Sequence, residues 1–131
     1  MDPSPRHQAR ERALSLLYEA DLKGSAPVHV LDALAVPPDG YACRMVELCD
    51  MRRDEIDALI GSAAVGWDVS RMAVVDRNVM RLAVAELIGC PDVPTAVILN
   101  EAVELAAEYS TDDSGRFVNG VLAAVAGKIR V

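Results

Sequence analysis

The sequence predicts an all-α fold in a single domain, on three observations. Apolar residues recur at three- and four-residue spacing along most of the chain, which is the period of a core-facing helix. No Asn-Gly or Asp-Gly pair lies between two alternating apolar runs, so the signal of a β-hairpin is missing. The 131 residues, 52% apolar but only 4% aromatic, suffice for one core of small side chains. We therefore expect one helical bundle of about six to seven helices spanning residues 1–131.

The N-terminal half is predicted to hold a long helix, a short helix and a second long helix. Ser4 with the proline after it is typical of a helix start, and Gly24 is typical of a helix end, which predicts a helix over residues 5–23. Turn-forming clusters on both sides of residues 28–36 leave room for about two helical turns. The apolar period from residue 41 to 67 predicts the longest helix of the chain.

The C-terminal half is predicted to contain three helices. Residues 74–89 keep a helical apolar period and are followed by a Gly-Cys-Pro sequence that ends the helix. A second helix restarts at Thr95. Ser110 and Asp113 resemble a capping box for a last helix that runs to about Ile129. We expect these helices to pack against the N-terminal half as two packed sub-bundles.

The charge distribution restricts the ligands that the chain can bind alone. The formal net charge is −7, which works against indiscriminate binding to phosphate groups. Basic residues are concentrated near the N-terminus, where residues 4–12 include three arginines and one glutamate. Arg6 and Arg10 have no evident apolar partners, so we expect this basic end to project into solvent. An arm of this kind provides modest and salt-sensitive affinity for RNA.

Cysteine usage and hydropathy predict a cytoplasmic protein with reduced thiols. The three cysteines, Cys43, Cys49 and Cys90, form an odd set without C-x-x-C spacing, so neither a disulfide framework nor a zinc knuckle is indicated. The N-terminus has no apolar signal-peptide core, and the longest charge-free stretch is shorter than a membrane span.

The sequence offers few groups for catalysis, so we expect no enzyme activity, no catalytic residue, no metal and no cofactor. Nucleophile-elbow, phosphate-loop and zinc-protease motifs are missing, and the two histidines, His7 and His29, fall in a predicted tail and a connector. Glu86 lies among the periodically spaced apolar residues of its predicted helix, where burial of an unpaired carboxylate is costly. We expect Arg81 or a free backbone amide at a helix end to pair with Glu86.

The start of the last predicted helix is the most suggestive local feature. The free backbone amides of a helix N-terminus can bind phosphate, and the Arg116 guanidinium can donate hydrogen bonds to it. Phe117 can stack on an unpaired base. The structural alternative is that Asp112 and Asp113 cap the helix, Phe117 belongs to the core and Gly120 allows close helix packing. The residues alone leave both interpretations open.

Five segments of the chain carry a recognisable combination of residues. The segments are RHQARERAL at 6–14 with Leu17 and Tyr18, VDRNVMRLAVAEL at 75–87, Val93 and Pro94, NEAVELA at 100–106, and DDSGRFVNGVL at 112–122, which is the most specific of them. Together they resemble the NusB family of bacterial transcription antitermination factors. The resemblance covers about residues 6–23 and 67–130, whereas residues 25–66 match only in helical pattern.

The resemblance implies a non-catalytic, all-helical protein that acts with partners. NusB-like proteins pair with NusE, a small-subunit ribosomal protein, and the pair binds single-stranded boxA RNA of ribosomal RNA transcripts. That binding seeds an antitermination complex on RNA polymerase. A basic ribosomal partner would supply the positive field that a chain of charge −7 lacks. Some relatives form homodimers that cover the RNA surface, and the sequence leaves the oligomeric state open.

The resemblance also implies roles for seven residues, carried over position by position. In the family the basic arm and one turn of the last helix contact RNA, which points to Arg6, Arg10, Arg116 and Phe117. Positions near the RNA or the partner protein are Tyr18, Asp76 and Asp113. Two other functions remain as alternatives: a helical protein-protein interaction module without RNA binding, and the RNA-binding extension of a ribosomal-RNA cytosine methyltransferase, whose catalytic domain would have to follow residue 131.

Overall fold

In the computed structural model, which describes residues 4–130, the chain forms seven α-helices and no strand within that range. The all-α fold predicted from the sequence is therefore confirmed. Residues 1–3 and 131 of the predicted domain lie outside the described residues, among which no helix is long and apolar enough to cross a membrane. The helices are α1 (Pro5–Lys23), α2 (Pro27–Asp32), α3 (Gly40–Met51), α4 (Arg53–Ala63), α5 (Val74–Gly89), α6 (Thr95–Tyr109) and α7 (Asp112–Ile129), with a short 3₁₀ helix at Val69–Arg71.

Helix α5 lies at the centre of the bundle and contacts α1, α3, α4, α6 and α7. Its side chains from Asn78 to Leu87 are all buried. On one side α1, α2 and α3 pack against one another, and on the other side α7 packs against α4 and α6. The two packed sub-bundles are as predicted, except that α4 comes from the N-terminal half of the chain and packs on the C-terminal helices.

The predicted ends of α1 are confirmed. The Ser4 side chain accepts a hydrogen bond from the backbone N–H of His7, and Pro5 occupies the first helical position. At the other end Gly24 has a φ of 64°, and its N–H donates to the carbonyl oxygens of Ala20 and Asp21. This left-handed conformation is one that glycine adopts without steric cost, which is why the helix ends there.

The single helix predicted over residues 41–67 is wrong, because the chain breaks at Arg52 into α3 and α4. Arg52 has φ −113° and ψ 28°, outside the helical range. Its guanidinium folds onto Glu55 with contacts of 2.8 and 2.9 Å. The seven-residue spacing from Cys49 to Ile56 keeps the apolar period across the break, so the sequence pattern does not reveal it.

The start of α7 differs from the prediction by one residue. Thr111, rather than Ser110, is the N-cap, and its hydroxyl accepts a hydrogen bond from the backbone N–H of Ser114 at 3.2 Å. Ser110 is instead the C-cap of α6. Asp113 therefore lies in the first turn of α7, where a carboxylate is favoured by the helix dipole but is not the capping group.

A partly buried ion-pair cluster joins the C-terminal end of α1 to the start of α5. Asp21 accepts hydrogen bonds from Arg77 at 2.6 and 2.7 Å and from Asn78 at 2.7 Å, and Arg81 lies 3.2 Å away. Burial raises the pKa of the Asp21 carboxyl, but the hydrogen bonds and charges of its neighbours outweigh burial and hold that pKa below its usual value. Asp57 in α4 pairs with Arg81 from the other side, at 2.8 Å.

Candidate nucleic-acid interface

The first turn of α1 carries Arg6, the first of the predicted RNA-binding residues. Its guanidinium lies over the ring of Tyr41 in α3, 4.1 Å from the ring centroid. The Arg6 side chain is nevertheless exposed, as the sequence predicts. The contact with Tyr41 restricts the position of the guanidinium while leaving its N–H groups open to a ligand.

Arg10 does not project into solvent, so the expectation of an exposed basic end is wrong for this residue. Its guanidinium donates to both carboxylate oxygens of Glu86, at 2.6 and 2.9 Å, and the two side chains are 4% and 2% exposed. The hydroxyl of Tyr41 also donates to Glu86, at 2.7 Å. Burial lowers the pKa of Arg10, but the hydrogen bonds and charge of Glu86 outweigh burial and keep that pKa above normal.

The partner predicted for Glu86 is also wrong, since Arg81 is committed to Asp57 and Asp21. Arg81 lies five residues before Glu86, and therefore on a different side of α5. The sequence does contain a signal for the true partner. Arg10 stands three and four residues before Ala13 and Leu14, so it continues the buried stripe of α1 by one turn.

His7 is held between α1 and α6 by carboxylates. Its Nδ1 is 2.6 Å from an oxygen of Glu101, and its Nε2 is 3.4 Å from an oxygen of Glu11. The hydrogen bond to Glu101 is the largest cause of a raised His7 pKa, which partial burial opposes and the surrounding glutamate charges reinforce. The Tyr109 hydroxyl donates to the other oxygen of Glu11, and this bond is the main reason that the Tyr109 pKa rises to about 12.

Tyr18 lines an open groove beside α1. The groove has a volume of about 450 Å³, and the Tyr18 side chain is 38% exposed within it. Its other lining residues are Glu11, Leu14, Ser15, Val75 and Tyr109, which come from α1, α5 and α6. Tyr18 is therefore a partly exposed surface residue, and not a fully packed core residue.

Asp76 is buried at the start of α5, and only one of its oxygens is satisfied. Its Oδ2 accepts a hydrogen bond from the Ser114 hydroxyl of α7 at 3.0 Å. Its Oδ1 has no hydrogen-bond partner in the described part of the chain, although the residue is only 8% exposed. A buried carboxylate oxygen without a donor is costly, so this position contributes unfavourably to the stability of the fold.

The first turn of α7 presents the remaining predicted residues. The side chains of Asp113 and Arg116 are 91% and 87% exposed, and their charged ends lie 3.4 Å apart. Phe117 is half-buried and packs edge-on against Trp67, with ring centroids 5.9 Å apart. The Phe117 ring packs against the core, as the structural alternative expects, and it also lines a surface groove with Asp76 and Asp113. Stacking of this ring on an RNA base stays a prediction.

The seven predicted residues thus fall into two groups. Asp76, Asp113, Arg116 and Phe117 lie together where α5 and α7 begin. The Tyr18 groove is separate from them, but Val75 in its lining precedes Asp76 in the chain. Arg6 and Arg10 lie near the other end of α5. On α5 these two ends are marked by Asp76 and Glu86, which are ten positions apart and therefore separated by about 15 Å along the helix.

The chain is similar to known proteins along most of its length. The family model described as "NusB family" matches residues 7–127. The "Transcription antitermination protein NusB" of Acidothermus cellulolyticus is 51% identical over 124 residues, covering 92% of this chain and 86% of that protein. The structure "T. maritima NusB, P3121, Form 2" matches with a TM-score of 0.86 and 31% identity, covering 97% of this chain and 94% of the other.

A second solved structure contains partners. The structure "Crystal Structure of Antitermination Factors NusB and NusE in complex with dsRNA" includes a chain that matches with a TM-score of 0.78 and 30% identity. The match covers 95% of this chain and 99% of that chain.

We expect Arg10→Ala to destabilise the fold by about 3–5 kcal/mol, because it leaves the Glu86 carboxylate buried without an opposite charge, with only the Tyr41 hydroxyl donating to it. Urea unfolding measures this change. The control is Arg12→Ala, which removes an exposed arginine from the same helix and should change stability by less than about 0.5 kcal/mol. Equal effects of the two substitutions would contradict a structural role for Arg10.

We expect His7→Ala to reduce stability more at about pH 6 than at about pH 9. The folded-state pKa of His7 is raised, so its stabilising contribution is fully present below the unfolded value of about 6.5 and is lost as pH rises through the folded pKa. Urea midpoints at both pH values measure the difference from the parent. His29→Ala, at an exposed position on α2, is the control, and a His7 effect independent of pH would refute the ion pairs with glutamate.

Proposed function

The chain belongs to the NusB family, and from that premise we propose that it is a transcription antitermination factor that binds boxA RNA together with NusE. Acting on ribosomal RNA transcripts in the cytoplasm, the pair would promote assembly of the antitermination complex on RNA polymerase. We further propose that residues 1–131 are one RNA-binding domain without catalytic activity. The match of the family model over residues 7–127 is the observation that carries this proposal.

The exposed residues at the start of α7 support an RNA surface. Arg116 is free to reach a phosphate group, since its 3.4 Å contact with Asp113 is a weak, solvent-exposed pair. The half-buried ring of Phe117 has a groove beside it in which an unpaired base can stack. Arg6 supplies a second exposed guanidinium at the start of α1. These three residues form our proposed RNA contacts.

Arg10 supports the same surface indirectly. Its guanidinium is 4% exposed and is used by Glu86, so it has no geometry for a phosphate group in this conformation. The ion pair fixes α1 against α5, and Tyr41 joins both Glu86 and Arg6 to α3. We propose that Arg10 positions the basic end of α1 and does not itself contact RNA.

The net charge supports a requirement for NusE. A chain of charge −7 repels RNA at long range, and two exposed arginines on this surface do not reverse that field. A basic partner bound beside this surface would reverse the field. The Tyr18 groove, which Leu14 and Val75 also line, suits a partner that brings apolar side chains.

Fluorescence anisotropy with a labelled boxA RNA tests this proposal. The protein is titrated with and without purified NusE, at two salt concentrations and against a scrambled RNA. Selective binding that strengthens with NusE supports the antitermination function. Binding to NusE without any selectivity for RNA would favour the alternative of a protein-protein interaction module, and a folded protein that binds neither would refute the proposal. Sedimentation of the free protein, in the same buffers, decides between a monomer and a homodimer.

We expect Arg116→Ala to weaken boxA binding and to reduce the salt slope of the affinity by about one, because one phosphate contact is lost. The matched control is Arg53→Ala, at an exposed position on α4 outside the proposed surface. Identical salt slopes for Arg116→Ala and the parent would show that Arg116 contacts no phosphate group.

We expect Asp113→Asn to tighten boxA binding, because it removes a negative charge beside Arg116 and the RNA. Folding should be unaffected, since Thr111 is the residue that caps α7 and the Asp113 side chain is 91% exposed. Anisotropy measures the affinity, and thermal unfolding is recorded on the same samples. Weaker binding by a stably folded variant would instead assign Asp113 an orienting role towards RNA or NusE.

A further inference from the structure

A cluster of one imidazole and several carboxylates lies between α1 and α6, away from the groove at the start of α7. His7 and Glu11 come from successive turns of α1, and Glu108 comes from the end of α6. One ligand atom from each of the three lies within 4.8 Å of the others. Nitrogen and carboxylate oxygen are the donors that borderline divalent cations such as Zn²⁺ bind.

The distances within this cluster distinguish the two ring nitrogens of His7. Two ligands of a tetrahedral zinc ion, with bonds of about 2.0–2.2 Å, lie about 3.3–3.5 Å apart. The 3.4 Å separation of His7 Nε2 and Glu11 fits that value. The 2.6 Å separation of His7 Nδ1 and Glu101 is shorter and is that of a direct hydrogen bond. In the neutral imidazole Nδ1 therefore carries the proton, and Nε2 is left to bind a metal once its own proton has been lost.

Neighbouring side chains already orient these ligands as a metal site requires. Glu101 accepts from Nδ1 of His7, which is the carboxylate–histidine arrangement that fixes a metal-binding imidazole. Tyr109 donates to one oxygen of Glu11, so the other oxygen faces Nε2. Arg10 lies 3.6 Å from Glu101, but its hydrogen bonds go to Glu86, so it leaves the cluster with an excess of negative charge.

We propose that His7 Nε2, Glu11 and Glu108 form a binding site for a divalent zinc-class cation, with water in the fourth position. The site joins α1 to α6 next to the basic first turn of α1. The inference goes beyond the function proposed above and does not depend on it, since it concerns the free protein without RNA or NusE. Binding displaces no proton from Nδ1, which keeps its hydrogen bond to Glu101.

Isothermal titration calorimetry of the full chain with Zn²⁺ tests the site. We expect one zinc ion per chain, and affinity losses of about tenfold or more in His7→Ala and in Glu108→Gln. Three control variants should bind as the parent does: Glu104→Gln, one turn earlier on α6, His29→Ala, which removes the other histidine, and Cys43→Ser, which removes the least buried thiol. Glu108→Gln changes an exposed residue, so the test does not depend on whether His7→Ala folds normally.

A second readout identifies the ligating atom. In ¹⁵N-labelled protein, Zn²⁺ should shift the Nε2 signal of His7 and leave Nδ1 protonated. The proposal is overturned if the parent binds zinc no better than His7→Ala does, or if His29→Ala or Cys43→Ser removes binding. It is also overturned if Glu104→Gln abolishes binding while Glu108→Gln does not, because the metal would then occupy the Nδ1 side of the ring.

Discussion

The enclosure of α5 by five other helices is the constraint on which the rest of this structure depends. A helix with no solvent-facing side has to pair each polar side chain that it carries with a group from a neighbour. Glu86 is paired by Arg10 and Tyr41, and Arg81 is paired by acidic residues of α1 and α4. The polar residues of α5 therefore help to fix which helices pack on it, and at which position along its axis each one packs.

The same constraint separates the charges that hold the fold together from those available to a ligand. Arg10 belongs to the first set although it lies only one turn from Arg6, which belongs to the second. Asp76 stands between the two sets, because one of its oxygens ties α5 to α7 and the other lacks a donor. It lies at the start of α5, where the enclosure by other helices ends and grooves open to solvent.

Sequence reasoning was reliable where a local rule acts and unreliable where a distant contact decides. The ends of α1 follow from Ser4 and Gly24, whose capping preferences operate within a few residues. The break at Arg52 leaves no signal in the sequence, because the apolar heptad continues through it. The chain changes direction there because α3 packs on α1 and α2, whereas α4 packs on α7. Charge alone predicts exposure for Arg10, whereas its position on the buried stripe of α1 indicates the burial that the structure shows. The contact of His7 with Glu101 depends on α6, and the two residues are 94 positions apart in the chain.

The ion pairs at the two ends of α1 have a consequence for synthesis on the ribosome. Asp21 precedes Arg77 by 56 residues, and Arg10 precedes Glu86 by 76. The last residues of α1 and α5, Lys23 and Gly89, are 66 residues apart, so at about 5–20 residues per second α1 leaves the exit tunnel roughly 3–13 s before the whole of α5 does. During that interval its buried stripe has only α2 and α3 to pack against. The nascent N-terminal half therefore has to remain soluble in a partly folded state, and its many surface charges help to keep it so.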